Sequence, residues 1–317
     1  MHLTDKKVAI IGMGAVGSGI AYALTIKDIA NEIVLIDINE KLVNAEMLDI
    51  RHGIPHIGRT KIRCGSYLDI KDSDLIIVTA GKSRNANQTR LDLAFDNIKI
   101  ADSIATEFEK YYTKGVILIV SNPVDIITHY FTKRLALPQG KIFGTGCILD
   151  GSRLVNVLSD YLNLGPEFIN ISVIGEHGNS QIPVWSHAEA AQIPLEDYCK
   201  VSNILFDKKI KEEMEEKVLK MGTEIISGKG KTFYGISTCV CYLADAILNN
   251  NPVQASVSSF MTGQNGLSDV ALSMPSIIDS SGIKLVLPVR LNKEEHNLLM
   301  QCSDKMKDFI ANLPYHF

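Results

Sequence analysis

Val8-Ala9-Ile10-Ile11-Gly12-Met13-Gly14-Ala15-Val16-Gly17 is the stretch that decides the fold. Four apolar residues predict a short strand, and three glycines at G-x-G-x-x-G spacing follow it directly. A helical pattern then runs to Lys27. In such a turn the first glycine permits the tight bend and the second lets the backbone approach a pyrophosphate. The third packs the helix against the strand, and the helix N-terminus faces the phosphates. A second strand, Glu32 to Asp37, ends in a carboxylate twenty residues beyond Gly17. A carboxylate there accepts hydrogen bonds from the adenine ribose hydroxyls and repels a 2′-phosphate, so NAD is expected rather than NADP.

Working outward, Leu75 to Thr79 and Val116 to Val120 are continuous apolar runs separated by a helical stretch, Leu91 to Tyr111. Strands apolar on both faces with helices between them predict an α/β, doubly wound parallel sheet of the Rossmann type. The second half changes character. Helices are expected at Asp150 to Asn163, Phe206 to Ser227 and Asn292 to Asn312. Strands are expected at Val253 to Met261, Ser268 to Ser273 and Ile283 to Val289, with Gly263-Gln264-Asn265-Gly266 as a turn. This predicts an NAD-binding domain over 1–146 and an α+β catalytic, substrate-binding domain over 147–317.

Composition excludes several classes. A formal net charge of -4, with no basic run interleaved with aromatics, argues against nucleic acid as a partner. No apolar run is long enough to span a bilayer, and the first residues lack a signal-peptide pattern, so a cytoplasmic protein is expected. The six cysteines show no pairing pattern and no metal-ligand spacing, so no metal is expected.

The chemistry points to Gly175-Glu176-His177-Gly178-Asn179-Ser180, after the apolar run Ile169 to Ile174. Hydride transfer to a carbonyl needs a proton donor that titrates near neutrality, which imidazole supplies. Asp150, in Leu149-Asp150-Gly151-Ser152-Arg153, is a plausible carboxylate partner. Asp150 and Arg153 lie three apart and share a face if helical. One could then orient the base while the other forks onto a substrate carboxylate. A nucleotide-sensing module would need no such relay, and an NAD-using glycosidase on the same fold would need a metal-binding Cys–His pair that is not evident.

Five blocks carry a resemblance to the lactate/malate dehydrogenase family over essentially the whole chain. They are Gly12 to Gly17, Thr79-Ala80-Gly81 through Thr89-Arg90-Leu91-Asp92-Leu93, Ser121-Asn122-Pro123-Val124-Asp125, Leu149 to Arg153, and Gly175 to Trp185. The resemblance implies that His177 is the acid/base, Asp150 its partner, and Arg153 the ligand of the substrate carboxylate. It implies that Arg90, on a loop from about Gly81, polarises the substrate carbonyl, and that Asn122 contacts substrate and nicotinamide. Thr232 matches the substrate-pocket threonine. The cofactor set it implies is Gly12, Met13, Gly14, Val16, Gly17, Asp37, Tyr67, Ala80, Gly81, Ser121 and Asn122, with NAD bound.

The resemblance implies a small 2-hydroxy or 2-oxo acid as substrate, and two branches of the family compete for it. Arg84, six residues before Arg90, stands where lactate enzymes usually carry glutamine and malate enzymes arginine. A guanidinium there would pair with the second carboxylate of oxaloacetate. Leu91, Thr232 and Ile182-Pro183-Val184-Trp185-Ser186 resemble the lactate branch instead. The favoured expectation is the lactate/pyruvate pair, an activity of glycolysis and fermentation; the alternative is malate/oxaloacetate or a broader 2-hydroxy-acid range. Val155 and Asn170 occupy the positions at which many bacterial relatives place a phosphate-binding arginine and histidine, so no activation by fructose 1,6-bisphosphate is expected there. The resemblance also implies a homo-oligomer, most simply a homotetramer.

Overall fold

A computed structural model of the chain describes residues 6–82 and 90–313; the side chains of Arg90 and Leu91 fall outside the description, as does Arg84. The N-terminal half begins with β1 (Lys7–Ile11), α1 (Ala15–Lys27), β2 (Glu32–Ile36), α2 (Glu40–Gly53) and β3 (Lys61–Cys64). It continues through β4 (Leu75–Val78), α3 (Arg90–Tyr111), β5 (Val116–Ile119), α4 (Val124–Leu135) and β6 (Ile142–Gly144). These six strands are parallel in the order β3-β2-β1-β4-β5-β6. All four residues of β4 and of β5 are buried, as a sheet covered on both faces requires. The chain is thus α/β with the expected doubly wound sheet, and the glycine turn sits where strand order reverses, between β1 and β4.

Beyond Gly146 come α5 (Ile148–Leu162), β7 (Ile169–Asn170), β8 (Val173–Gly175), β9 (Gln181–Pro183), β10 (Glu189–Ala190) and β11 (Ile193–Pro194). Then follow α6 (Leu195–Val201), α7 (Lys208–Lys229), α8 (Tyr234–Leu248), β12 (Val253–Thr262), β13 (Ser268–Asp279), β14 (Gly282–Val286) and α9 (Lys293–Ala311). Two features depart from the expected pattern. The run Ile169 to Ile174 divides into β7 and β8, which join different sheets. The strand expected to stop at Ser273 continues to Asp279 through Pro275, whose carbonyl still accepts from Leu287 N although proline cannot donate.

The long antiparallel β12–β13 hairpin turns at Gly263–Gly266 and extends the parallel sheet. Ser258 of β12 pairs with Gly144 of β6, and Ser273 of β13 pairs with Gly175 of β8. One sheet therefore runs from β3 to β9, and one apolar cluster holds residues from Val8 to Leu313. A smaller cluster packs around α5, α6 and α7. The hairpin acts as a crossbar that fixes the end of β6, which leads into α5, beside the turn after β8. Among the described residues no helix is long and apolar enough to cross a membrane.

Candidate active site

The glycine turn is built by close approach. Gly12 has φ +97°, and a Cβ there would lie 2.5 Å from Ala80 N. At Gly17 a Cβ would lie 1.9 Å from the Gly12 carbonyl oxygen, so α1 could not sit against β1 with any larger residue. Gly14 is different. Its backbone (φ −70°, ψ −175°) suits any residue, and a Cβ would meet nothing within 4 Å. Gly14 is the N-cap of α1, makes no side-chain cap, and no acidic residue stands in the first turn. The open N–H groups and the positive helix end are thus left for an anion.

Asp37 follows β2 as expected, but its carboxylate also has duties within the chain. Oδ2 accepts from Met13 N at 2.6 Å and Oδ1 from Asn39 N at 2.8 Å, which ties the glycine turn to β2. Each oxygen keeps a lone pair for a ribose hydroxyl. Tyr67 stands nearby; burial, with the charges of Glu107 and Asp37, pushes its hydroxyl up to about 12, so it remains a neutral donor. Ala80 and Gly81 follow β4, and Ser121 Oγ donates to the Ala80 carbonyl at 2.7 Å. These positions fit a dinucleotide laid across the switch point: small residues, an uncapped helix end and a carboxylate at the end of β2.

A cavity of about 340 Å³ brings Asn122, Asp150, Arg153, His177 and Thr232 together, with Val16 of α1 on its wall. Asp150 joins two of these side chains. Its side chain is 3% exposed and sits in the first turn of α5, where the helix dipole favours an anion. Oδ2 lies 2.6 Å from His177 Nδ1, and Oδ1 accepts from Arg153 Nη1 at 3.1 Å. The expected sharing of one helix face by Asp150 and Arg153 is present, and a single carboxylate spans both partners. With Nδ1 donating to Asp150, Nε2 is the nitrogen left for the cavity.

The His177 ring is 26% exposed on its side chain. Burial opposes its charge most strongly, yet the hydrogen bond and charge of Asp150, with the charge of Asp125, outweigh burial and the nearby Arg153. The imidazole is held above its ordinary value.

Two residues escaped the sequence reading. Asn97, buried on α3, accepts from Lys82 N at 2.7 Å and donates to the Lys82 carbonyl at 3.1 Å. It also donates to the Asn122 carbonyl at 2.7 Å. It clamps the segment after β4 to the turn after β5. The other is Asp125, buried on α4, whose Oδ2 accepts from His177 N at 2.8 Å. Its block was quoted above, but only contact across the fold gives it a partner. Val155 and Asn170 line a second cavity, of about 600 Å³, on the far side of α5; no charged residue is among those lining it. Among the described residues no group of three or more His, Cys, Asp or Glu side chains could hold a metal.

Comparison with known proteins comes down on one family. The model described as "lactate/malate dehydrogenase, NAD binding domain" matches residues 6–144, and "lactate/malate dehydrogenase, alpha/beta C-terminal domain" matches 147–314. The chain is 39% identical over 307 residues to an L-lactate dehydrogenase of Clostridium perfringens, covering 97% of each chain. It is 37% identical over 308 residues to one of Acetivibrio thermocellus, again 97% of each. A minor L-lactate dehydrogenase from Enterococcus mundtii, solved with ligands bound, superposes with TM-score 0.94 at 31% identity over 98% of this chain and 99% of that one.

Proposed function

The chain belongs to the lactate/malate dehydrogenase family, whose cofactor is NAD, and we propose that it interconverts L-lactate and pyruvate. The observation that carries this reading is the Asp150 carboxylate spanning His177 and Arg153 in a cavity beside the glycine turn. The Gly12–Gly17 turn and Asp37 would hold NADH, which would supply the hydride for reduction of the pyruvate carbonyl carbon. The protein's own residues do the rest. Arg153 forks onto the substrate carboxylate, and Thr232 and Asn122 set its orientation. His177 Nε2–H donates its proton to the carbonyl oxygen as the alkoxide forms, while Asp150 holds the ring and the charge of the imidazolium. Arg90 polarises the same oxygen. In lactate oxidation every proton runs the other way, and neutral His177 is the base.

The lactate reading over the malate reading is supported by relatives named L-lactate dehydrogenase at 35–39% identity over nearly the whole chain. Arg84 favours the malate reading, since a guanidinium in reach of the substrate would select a second carboxylate. The deciding experiment compares kcat/KM for NADH oxidation with pyruvate and with oxaloacetate. Pyruvate preferred by more than about tenfold, some 1.4 kcal/mol, upholds the lactate reading; oxaloacetate preferred by as much would make the enzyme a malate dehydrogenase with Arg84 as selector.

The same reading carries a division of labour at about residue 146, cofactor before and substrate after. It also carries a cytoplasmic, glycolytic or fermentative setting and a homotetrameric or at least dimeric state. Sedimentation at working concentration tests the last of these, and a clean monomer would refute it.

A further inference from the structure

Asp125 has no part in the mechanism above, yet it holds the main chain of the proton donor. It is 2% exposed, near the start of α4 and deep in the apolar core, where an ionised carboxylate is costly to bury. Oδ2 accepts the backbone N–H of His177 at 2.8 Å. Among the described residues neither Oδ1 nor the Ser258 hydroxyl on β12 has another partner; the two face each other, so the hydroxyl is placed to favour the charged carboxylate. Holding a backbone N–H does not require a charge, because the neutral amide oxygen of asparagine would accept it equally. What the carboxylate adds is negative charge close to an imidazole that must carry a proton.

We propose that Asp125 is a positioning residue that favours the protonated form of His177 from the main-chain side, as Asp150 does from the ring side. The inference rests on His177 being the acid/base. The other groups facing this pair are Asp150 and Arg153 of α5, Glu176 in the turn, Cys147 ahead of α5, and Cys302 of α9. Burial drives both thiols up, so neither carries charge near neutrality. Glu176 pushes proton affinity up and Arg153 pulls that of His177 down, which leaves two carboxylates in direct hydrogen-bond contact with His177, one on the ring and one on the main chain. Burial, partly countered by Ser258 and His177, lifts Asp125 itself to about 6, so it is anionic at neutral pH and loses its influence below that.

The test is the pH dependence of kcat/KM for pyruvate reduction at saturating NADH, which falls as His177 loses its proton. Asp125→Asn keeps the shape and the backbone acceptor but removes the charge. The alkaline limb is expected to move to lower pH by about half to one unit. Ser258→Ala, which leaves Asp125 easier to protonate, is expected to move it the same way by less, and serves if the first variant does not fold. A limb that stays in place in the folded variants, whatever happens to the height of the profile, overturns the inference. His177→Asn separates the two claims. If it keeps activity, the acid/base reading has failed; if it is inactive while Asp125→Asn leaves the limb unmoved, only the role of Asp125 has.

Discussion

Gly14→Ala separates what the chain needs for itself from what it keeps for a ligand. The backbone at Gly14 is open to any residue and the new methyl would touch no protein atom. Loss of unfolded-state freedom favours the variant by about 0.4–1 kcal/mol. Alanine is a poorer N-cap than glycine by a similar amount, so the two effects roughly cancel. The melting temperature should therefore stay within about 2 °C. NADH is another matter. With a pyrophosphate seated on the uncapped end of α1, as proposed, the added methyl would hold it off the helix N–H groups. Loss of one charge-assisted hydrogen bond costs about 1.5–3 kcal/mol, or roughly tenfold to a hundredfold in Kd. Protein fluorescence titrated with NADH, beside a thermal melt, measures both. An unchanged Kd would refute the placement of the phosphates, and a collapsed fold would refute the claim that Gly14 is free of internal duty. Gly17→Ala is the control. Its Cβ would fall 1.9 Å from the Gly12 carbonyl oxygen, so that variant should lose stability first.

Other consequences are open to direct measurement. Asp150→Asn removes a charge 2.6 Å from His177 and leaves Arg153 without its counter-ion; about 4 kcal/mol at close range predicts kcat/KM for pyruvate lower by roughly 10³-fold, and a loss below tenfold would contradict the assigned role. With His177 held above its ordinary value, pyruvate reduction should persist above pH 6.5 before declining. Lactate oxidation should fall as pH drops through the same value, and parallel rather than mirrored profiles would exclude a single shared group. Asp125 has its native value raised to about 6, so the fold bears the cost of its charge above that pH and is relieved of it below the unfolded carboxylate value. Asp125→Asn should thus resist urea better than the parent at pH 8, by up to about 3 kcal/mol, with the gain gone near pH 4; equal stability at pH 8 would show the carboxylate to be better solvated than its burial implies. Fructose 1,6-bisphosphate should leave the pyruvate half-saturation unchanged, because Val155 and Asn170 face a cavity without charged lining.

Much of this was legible in the sequence, for identifiable reasons. The strand–turn–helix around Gly12 to Gly17 is local, and a parallel sheet writes itself as apolar runs such as Leu75 to Val78. Asp150 and Arg153 could be paired because helical spacing is also local. Joining them to His177 took the family resemblance, since no periodicity links a helix to a turn some two dozen residues away. The β6–β12 and β8–β13 joints were invisible because each rests on a single paired position, Gly144 with Ser258 and Ser273 with Gly175. Asn97 and Asp125 were hidden for the same reason: each is an ordinary polar residue on an amphipathic helix until tertiary contact gives it a partner. Arg84 on its own pointed to a second substrate carboxylate, and the relatives, not that loop position, carry the lactate reading.

The unbroken sheet has a meaning for dissection of the protein. A fragment ending near residue 146 would leave β6 as a bare edge, with unpaired backbone groups and an apolar flank that the hairpin now covers. The complementary fragment would keep the hairpin but lose the strand it docks on. Cut there, neither piece is expected to survive alone in solution, and mixing the two should restore activity only if they meet before self-association. The sheet runs unbroken past residue 146, so a cut there severs hydrogen-bonded strands from their neighbours.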